Sequence, residues 1–118
     1  MANRHRGEIE AELGGAHYML CLTLGALAEL EHRFGVGDLV DLTRRFESGR
    51  LSSRDLIAII GCGLRGGGSA IGDDEVAKLS IPDGLHGYVR VAAALLAATF
   101  GSNAEEGSTA IPPEPQVA

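Results

Sequence analysis

The sequence predicts an α+β fold: an N-terminal β-hairpin packed on a bundle of four to five short helices. Three observations carry this. Residues 7–13 alternate, with Ile9, Ala11 and Leu13 on one side and Glu8, Glu10 and Glu12 on the other. Gly14-Gly15 then supplies the positive φ angles of a tight turn, and alternation resumes over residues 16–22. Beyond Leu22 the apolar period changes from two to between three and four, and glycines cut the rest into short helical pieces. A lone hairpin is marginal in water, so this one must pack on helices or extend a neighbouring sheet. Its acidic face is expected to meet solvent, with a basic partner as the alternative.

The change of period falls inside the stretch from Tyr18 to Phe34. Tyr18, Leu20 and Leu22 alternate with His17, Met19 and Cys21; Leu24, Leu27, Leu30 and Phe34 then follow at helical spacing. Thr23 stands at the seam, where its hydroxyl can accept from the first free amides of a helix. Gly35 follows the last periodic residue as a helix stop. The strand is therefore expected to run straight into a helix over 24–34.

Asp38 caps a second helix over 39–47, whose buried stripe is Leu39, Leu42 and Phe46. Ser52, with Asp55 three residues on, has capping-box spacing and opens a third. Leu56, Ile57, Ile59 and Ile60 are nearly continuous, so that helix is expected to be buried on more than one side. Gly66-Gly67-Gly68 cannot continue a helix cheaply. A short acidic helix starts at Gly72 or Asp73, and Pro82-Asp83 introduces the last and longest, over 85–100. Its bulky side is Leu85, Tyr88, Val89, Ala92, Leu95, Leu96 and Thr99. Its other side, with Gly87, Ala94, Ala97 and Ala98, is small enough for a close neighbour. This helix is the expected centrepiece. Residues 1–101 thus form one domain, and the acidic, proline-rich residues 102–118 are expected to be disordered.

Composition narrows the function. The 118 residues suffice for one small core, built from aliphatic side chains because aromatics are 4% and Trp is absent. A net charge of −6 argues against non-specific nucleic-acid binding, which needs an excess of Lys and Arg. Cys21 and Cys62 lack C-x-x-C spacing and read as buried free thiols of a cytosolic protein. The start is polar where a leader would be apolar, and the longest apolar run, residues 91–100, is too short for a membrane span. A soluble protein is expected.

No motif carries chemistry. Gly61-Cys62-Gly63-Leu64-Arg65-Gly66 fits G-x-G-x-x-G, but Gly67, Gly68, Ser69 and Ala70 follow where a dinucleotide site needs a helix to start. A helix ending in a flexible glycine loop accounts for it better. His5, His17, His32 and His86 have no ligand spacing, and Asp73, Asp74 and Glu75 read as helix-start acids, so no metal or cofactor is expected. Ser52, Ser53 and Asp55 lack a base-orienting His and read as caps. The chain is not expected to be an enzyme.

Three segments carry a family resemblance: LCLTLGALAELE, FGVGDLVDLTRRF and GRLSSRDLIAIIGCGLRGGG. In that order, with glycine-punctuated junctions, they resemble the small tail-morphogenesis protein of gene transfer agents, phage-tail-like particles that package host DNA. The resemblance runs from about Asn3 to Gly101. Members are labelled either tail-tube component or tail assembly chaperone. The resemblance implies a chaperone that covers the apolar helical stretches of the tape-measure protein until tube subunits polymerise. It would be cytoplasmic during assembly. The alternative is a structural subunit of the tail tube, resident in the particle tail, with the hairpin pairing edge to edge in a homo-oligomeric ring. Known tube subunits resemble β-sandwiches with a continuous inner sheet, and two strands are too few for that. For a chaperone the partner surface should be apolar and helical: Leu27, Leu30 and Phe34, or Leu39, Leu42 and Phe46. Each of these also suits a core.

Overall fold

The computed structural model describes Asn3 and residues 6–101. The expected disordered tail lies outside the described residues. The order is β1 (Glu8–Leu13), β2 (Ala16–Cys21), α1 (Leu24–Phe34), α2 (Leu39–Glu47), α3 (Ser53–Gly66), α4 (Asp73–Val76) and α5 (Gly84–Phe100). This is the predicted hairpin followed by five helices.

β1 and β2 pair antiparallel with Leu13 opposite Ala16, Ala11 opposite Tyr18 and Ile9 opposite Leu20. Gly14 and Gly15 join them at φ 58° and 83°, the two positive angles of a type I′ turn. Ile9, Leu13 and Leu20 are buried, so the alternation does place one face on the core.

The helix starts follow the side-chain caps. Thr23 Oγ1 accepts from the Ala26 amide at 3.1 Å, and Asp38 Oδ1 from the Asp41 amide at 2.8 Å. Ser52 and Asp55 exchange both capping-box bonds, at 3.1 and 2.9 Å. Gly35 ends α1 in the left-handed region at φ 66°.

The centre of the molecule is α3, which corrects the expectation that the last helix would hold it. α3 touches β2, α1, α4 and α5 and buries Leu56, Ala58, Ile59, Ile60, Cys62 and Leu64. α5 buries Gly87, Ala92 and Leu95 alone. The reason lies in glycines that resemble helix breakers. A Cβ at Gly63 would stand 2.5 Å from Leu95 Cδ2 and 3.3 Å from Leu20 Cδ2, so the bare backbone lets α5 and β2 close on α3 from two directions. The helix therefore runs through Gly61 and Gly63 and ends at Gly66. Gly66 and Gly67 are not a loose loop either. Their Cβ positions fall 2.0 and 1.9 Å from the carbonyl oxygens of Cys21 and Met19. The outer edge of β2 thus ends against glycine Cα hydrogens, a close approach that supports weak Cα–H···O contacts.

α2 is joined to the core by one buried residue, Leu42, and by an aromatic chain. Phe34 meets Phe46 edge-on at 5.4 Å between centroids, and Phe46 meets Phe100 at 6.1 Å. Arg45 lies over the Phe34 ring and reaches Asp55 Oδ2 at 2.9 Å, tying α2 to the start of α3.

Candidate functional site

The six apolar residues singled out in α1 and α2 fall into three environments. Leu27, Leu30 and Leu42 are buried, and Leu30 and Leu42 have no exposed surface at all, so in this fold they present nothing to a partner. Phe34 and Phe46 are half-buried against one another. Leu39 is 41% exposed, beside the more exposed Val40. An amphipathic stripe marks the side of a helix that leaves water. Here Leu27, Leu30 and Leu42 of those stripes face the core, whereas Leu24 and Leu39 at the helix starts stay exposed. The stripe expected to be buried in α2 is thus open at Leu39.

An apolar opening lies elsewhere. Leu56, Ile57 and Ile60 of α3, Val76 and Ala77 at α4, and Leu85 and Tyr88 of α5 line a cleft of about 210 Å³, with Ser53 at its rim. Leu85 is 68% exposed, and Val89, one turn further along α5, is 47% exposed. Single exposed aliphatics are ordinary, but a row continuous with an apolar cleft is the pattern of an interaction surface. The sequence carried one signal for it: the near-continuous run Leu56–Ile60 has more apolar surface than one core-facing side needs. It did not show that Leu85 and Val89 stay uncovered, because that depends on the path of residues 67–83.

That path is fixed by a few contacts. Val76 packs on α3, where a Cβ at Gly61 would stand 3.6 Å from Val76 Cγ2. The Tyr88 hydroxyl donates to the Leu79 carbonyl, and the Gly14 amide donates to the Ser80 carbonyl at 2.7 Å. Asp83 adopts φ 69° before α5, and the missing side chain at Gly87 admits the Pro82 carbonyl, whose oxygen lies 2.0 Å from the Cβ position.

On the far side of α4 is a charged depression. Arg65 donates to Asp73 Oδ1 at 3.0 Å, to Glu29 Oε2 at 3.1 Å and to the Ile71 carbonyl at 3.1 Å. Arg33 reaches Glu29 at 3.2 Å and Asp73 Oδ2 at 2.5 Å. Burial alone would raise the Asp73 pKa, but the bonds from Arg33 and Arg65 outweigh it and hold the carboxyl below the usual range. Burial likewise opposes the charge on Arg65, yet the Asp73 bond and Glu29 carry its pKa upward. Beneath them the Cys62 thiol is pushed up to about 11, first by burial and then by the Glu29 carboxylate. Cys62 is 1% exposed, which makes it a neutral core side chain rather than a nucleophile. Cys21 is half-buried, with its sulfur 3.7 Å from the Arg6 carbonyl.

Among the described residues no group of three or more His, Cys, Asp or Glu is placed to hold a metal ion. No helix among them is long and apolar enough to cross a membrane. The G-x-G-x-x-G glycines lie in the second half of α3 and at its carboxyl end, so they precede no helix amino end that could face a phosphate.

Comparisons with curated proteins and with solved structures each found no match. A family model described as "phage tail tube protein, GTA-gp10" matches residues 6–102. That span takes in the hairpin and all five helices, and so the chain belongs to this phage-tail and gene-transfer-agent family.

Proposed function

We propose that this tail protein acts without catalysis, as an assembly chaperone for the tape-measure protein. In this reading the cleft between α3, α4 and α5 receives apolar side chains of a tape-measure helix until tube subunits replace it. The carrying observation is the continuity of the cleft with Leu85 and Val89 on one exposed face of α5. A groove with aliphatic walls and a flanking apolar row suits the i, i+3, i+4 anchors of an amphipathic helix. Leu39 and Val40, exposed at the start of α2, are a second apolar point for the same partner.

The family's description as a tail tube protein favours a second reading, a structural tube subunit. The sheet weighs against it. It has two strands, and the β2 edge already ends on Gly66 and Gly67, so a copy-to-copy sheet has β1 alone to grow from.

The test is a double substitution, Leu85→Asp with Val89→Asp, measured against a helical segment of the tape-measure protein. Exposed positions tolerate such changes within about 0.5 kcal/mol of stability. Affinity is expected to fall at least about tenfold, because a carboxylate must be desolvated at the contact. Unchanged affinity with an intact fold would remove the cleft from the chaperone account.

A further inference from the structure

The ion pairs around α4 close into a ring of alternating sign. Glu29 meets Arg33 at 3.2 Å, Arg33 meets Asp73 at 2.5 Å, Asp73 meets Arg65 at 3.0 Å, and Arg65 returns to Glu29 at 3.1 Å. Two charges come from α1, one from α3 and one from α4. Asp73 is thus the single ring member on the segment that crosses between α3 and α5, and it accepts from both arginines.

This ring is placed to control the cleft. α4 is a single turn: Asp73 at its first position engages the ring, while Val76 at its last and Ala77 beyond form a cleft wall. Gly61 is what lets the two sides meet, since a Cβ there would stand 2.8 Å from Asp73 Oδ1 and 3.2 Å from an Arg65 nitrogen. Apolar packing contributes Val76, 5% exposed, but a one-turn helix has little other buried surface and cannot persist alone. The ring side chains are 28–38% exposed, so mobile salt reaches them. Isolated exposed pairs contribute little; a closed network that joins three elements can decide where the weakest one sits.

We propose that α4 is a salt-sensitive latch: the ring seats it on α3, and releasing the ring moves it outward, widening the cleft and uncovering Leu56 and Ile60. This holds whether or not the cleft binds a tape-measure helix, because it concerns the opening of the protein by itself. Leu56 and Ile60 are 8% and 2% exposed in the seated form, so opening supplies apolar surface that the closed cleft withholds.

Hydrogen exchange of the full chain reads this directly. The Val76 and Ala77 amides donate to the Gly72 and Asp73 carbonyls and report on α4 alone. From about 0.01 to about 1 M salt, where the screening length falls from about 30 to about 3 Å, their exchange is expected to rise about tenfold. Amides inside α1 and α3 should not follow. Asp73→Asn is expected to exchange at the high-salt rate already in low salt, to lose the salt response, and to bind more anilinonaphthalene sulfonate. Asp74→Asn, one residue along and outside the ring, should match the parent chain. The latch is overturned if α4 exchange is independent of salt in the parent chain. It is overturned equally if Asp73→Asn is protected like the parent, or if α4 opens only together with α1 and α3. The salt series on the parent chain decides the matter even if Asp73→Asn does not fold.

Discussion

Gly67→Ala is expected to cost about 3–5 kcal/mol, a large part of the stability of a small domain. Gly67 sits at φ −85° and ψ 0°, a conformation open to any residue, so the cost does not come from backbone strain. It comes from space. The new methyl would stand 1.9 Å from the Met19 carbonyl oxygen and 2.7 Å from its carbon, and neither is a side chain that can turn aside. Relief requires the end of α3 to move away from β2, and that movement opens the contact of Gly63 with Leu20 and Leu95 as well. Thermal unfolding should show a fall of roughly 12–40 °C, at about 4–8 °C per kcal/mol for a domain of this size. Gly72→Ala is the matched control. Its φ is −91° and nothing lies within 4 Å of its Cβ position, so its stability should stay within about 0.5 kcal/mol of the parent.

Leu30→Ala and Leu42→Ala are each expected to cost about 2–5 kcal/mol, the range for a large aliphatic side chain removed from a sealed core. Both residues are 0% exposed. Leu30 lies on the helix that packs along α3, and Leu42 is the one buried residue of α2. Urea unfolding of the two variants should therefore show lower midpoints with an unchanged slope. The same variants separate core from contact surface. Loss of partner binding with the parent midpoint retained would show that these leucines face a partner after all.

Much of the fold was legible because its signals are local. The Glu8–Glu10–Glu12 alternation and the Gly14-Gly15 turn define the hairpin, while Thr23, Asp38 and Ser52 each stand directly before a helix, their side chains accepting from the amide three residues on. What escaped was long-range. Gly61 and Gly63 read on the sequence as part of a helix ending in a glycine loop, and their packing role depends on Asp73, Val76, Leu20 and Leu95, which arrive from other elements. For the same reason the last helix looked central. It is more apolar than α3, but its Leu85 and Val89 find no neighbour among the described residues to cover them. Beyond the apolar run of residues 56–60, the cleft was illegible because its walls come from three helices. Of the ion ring, the sequence held only the Glu29–Arg33 pair at helical spacing; Arg65 and Asp73 join through the fold. The apolar stripes of α1 and α2 were correctly apolar, yet periodicity cannot say whether a stripe meets a core or a partner.

On the proposed chaperone reading, this member of the phage tail tube, GTA-gp10 family acts on the tail during assembly without becoming part of it. Quantitative mass spectrometry of purified mature particles, counting this chain against the major tube subunit, tests that most directly. The chaperone account expects the chain to be absent from particles while tails still fail to form without it. Copy numbers near those of the tube subunit would contradict it and make the chain a ring component of the tube.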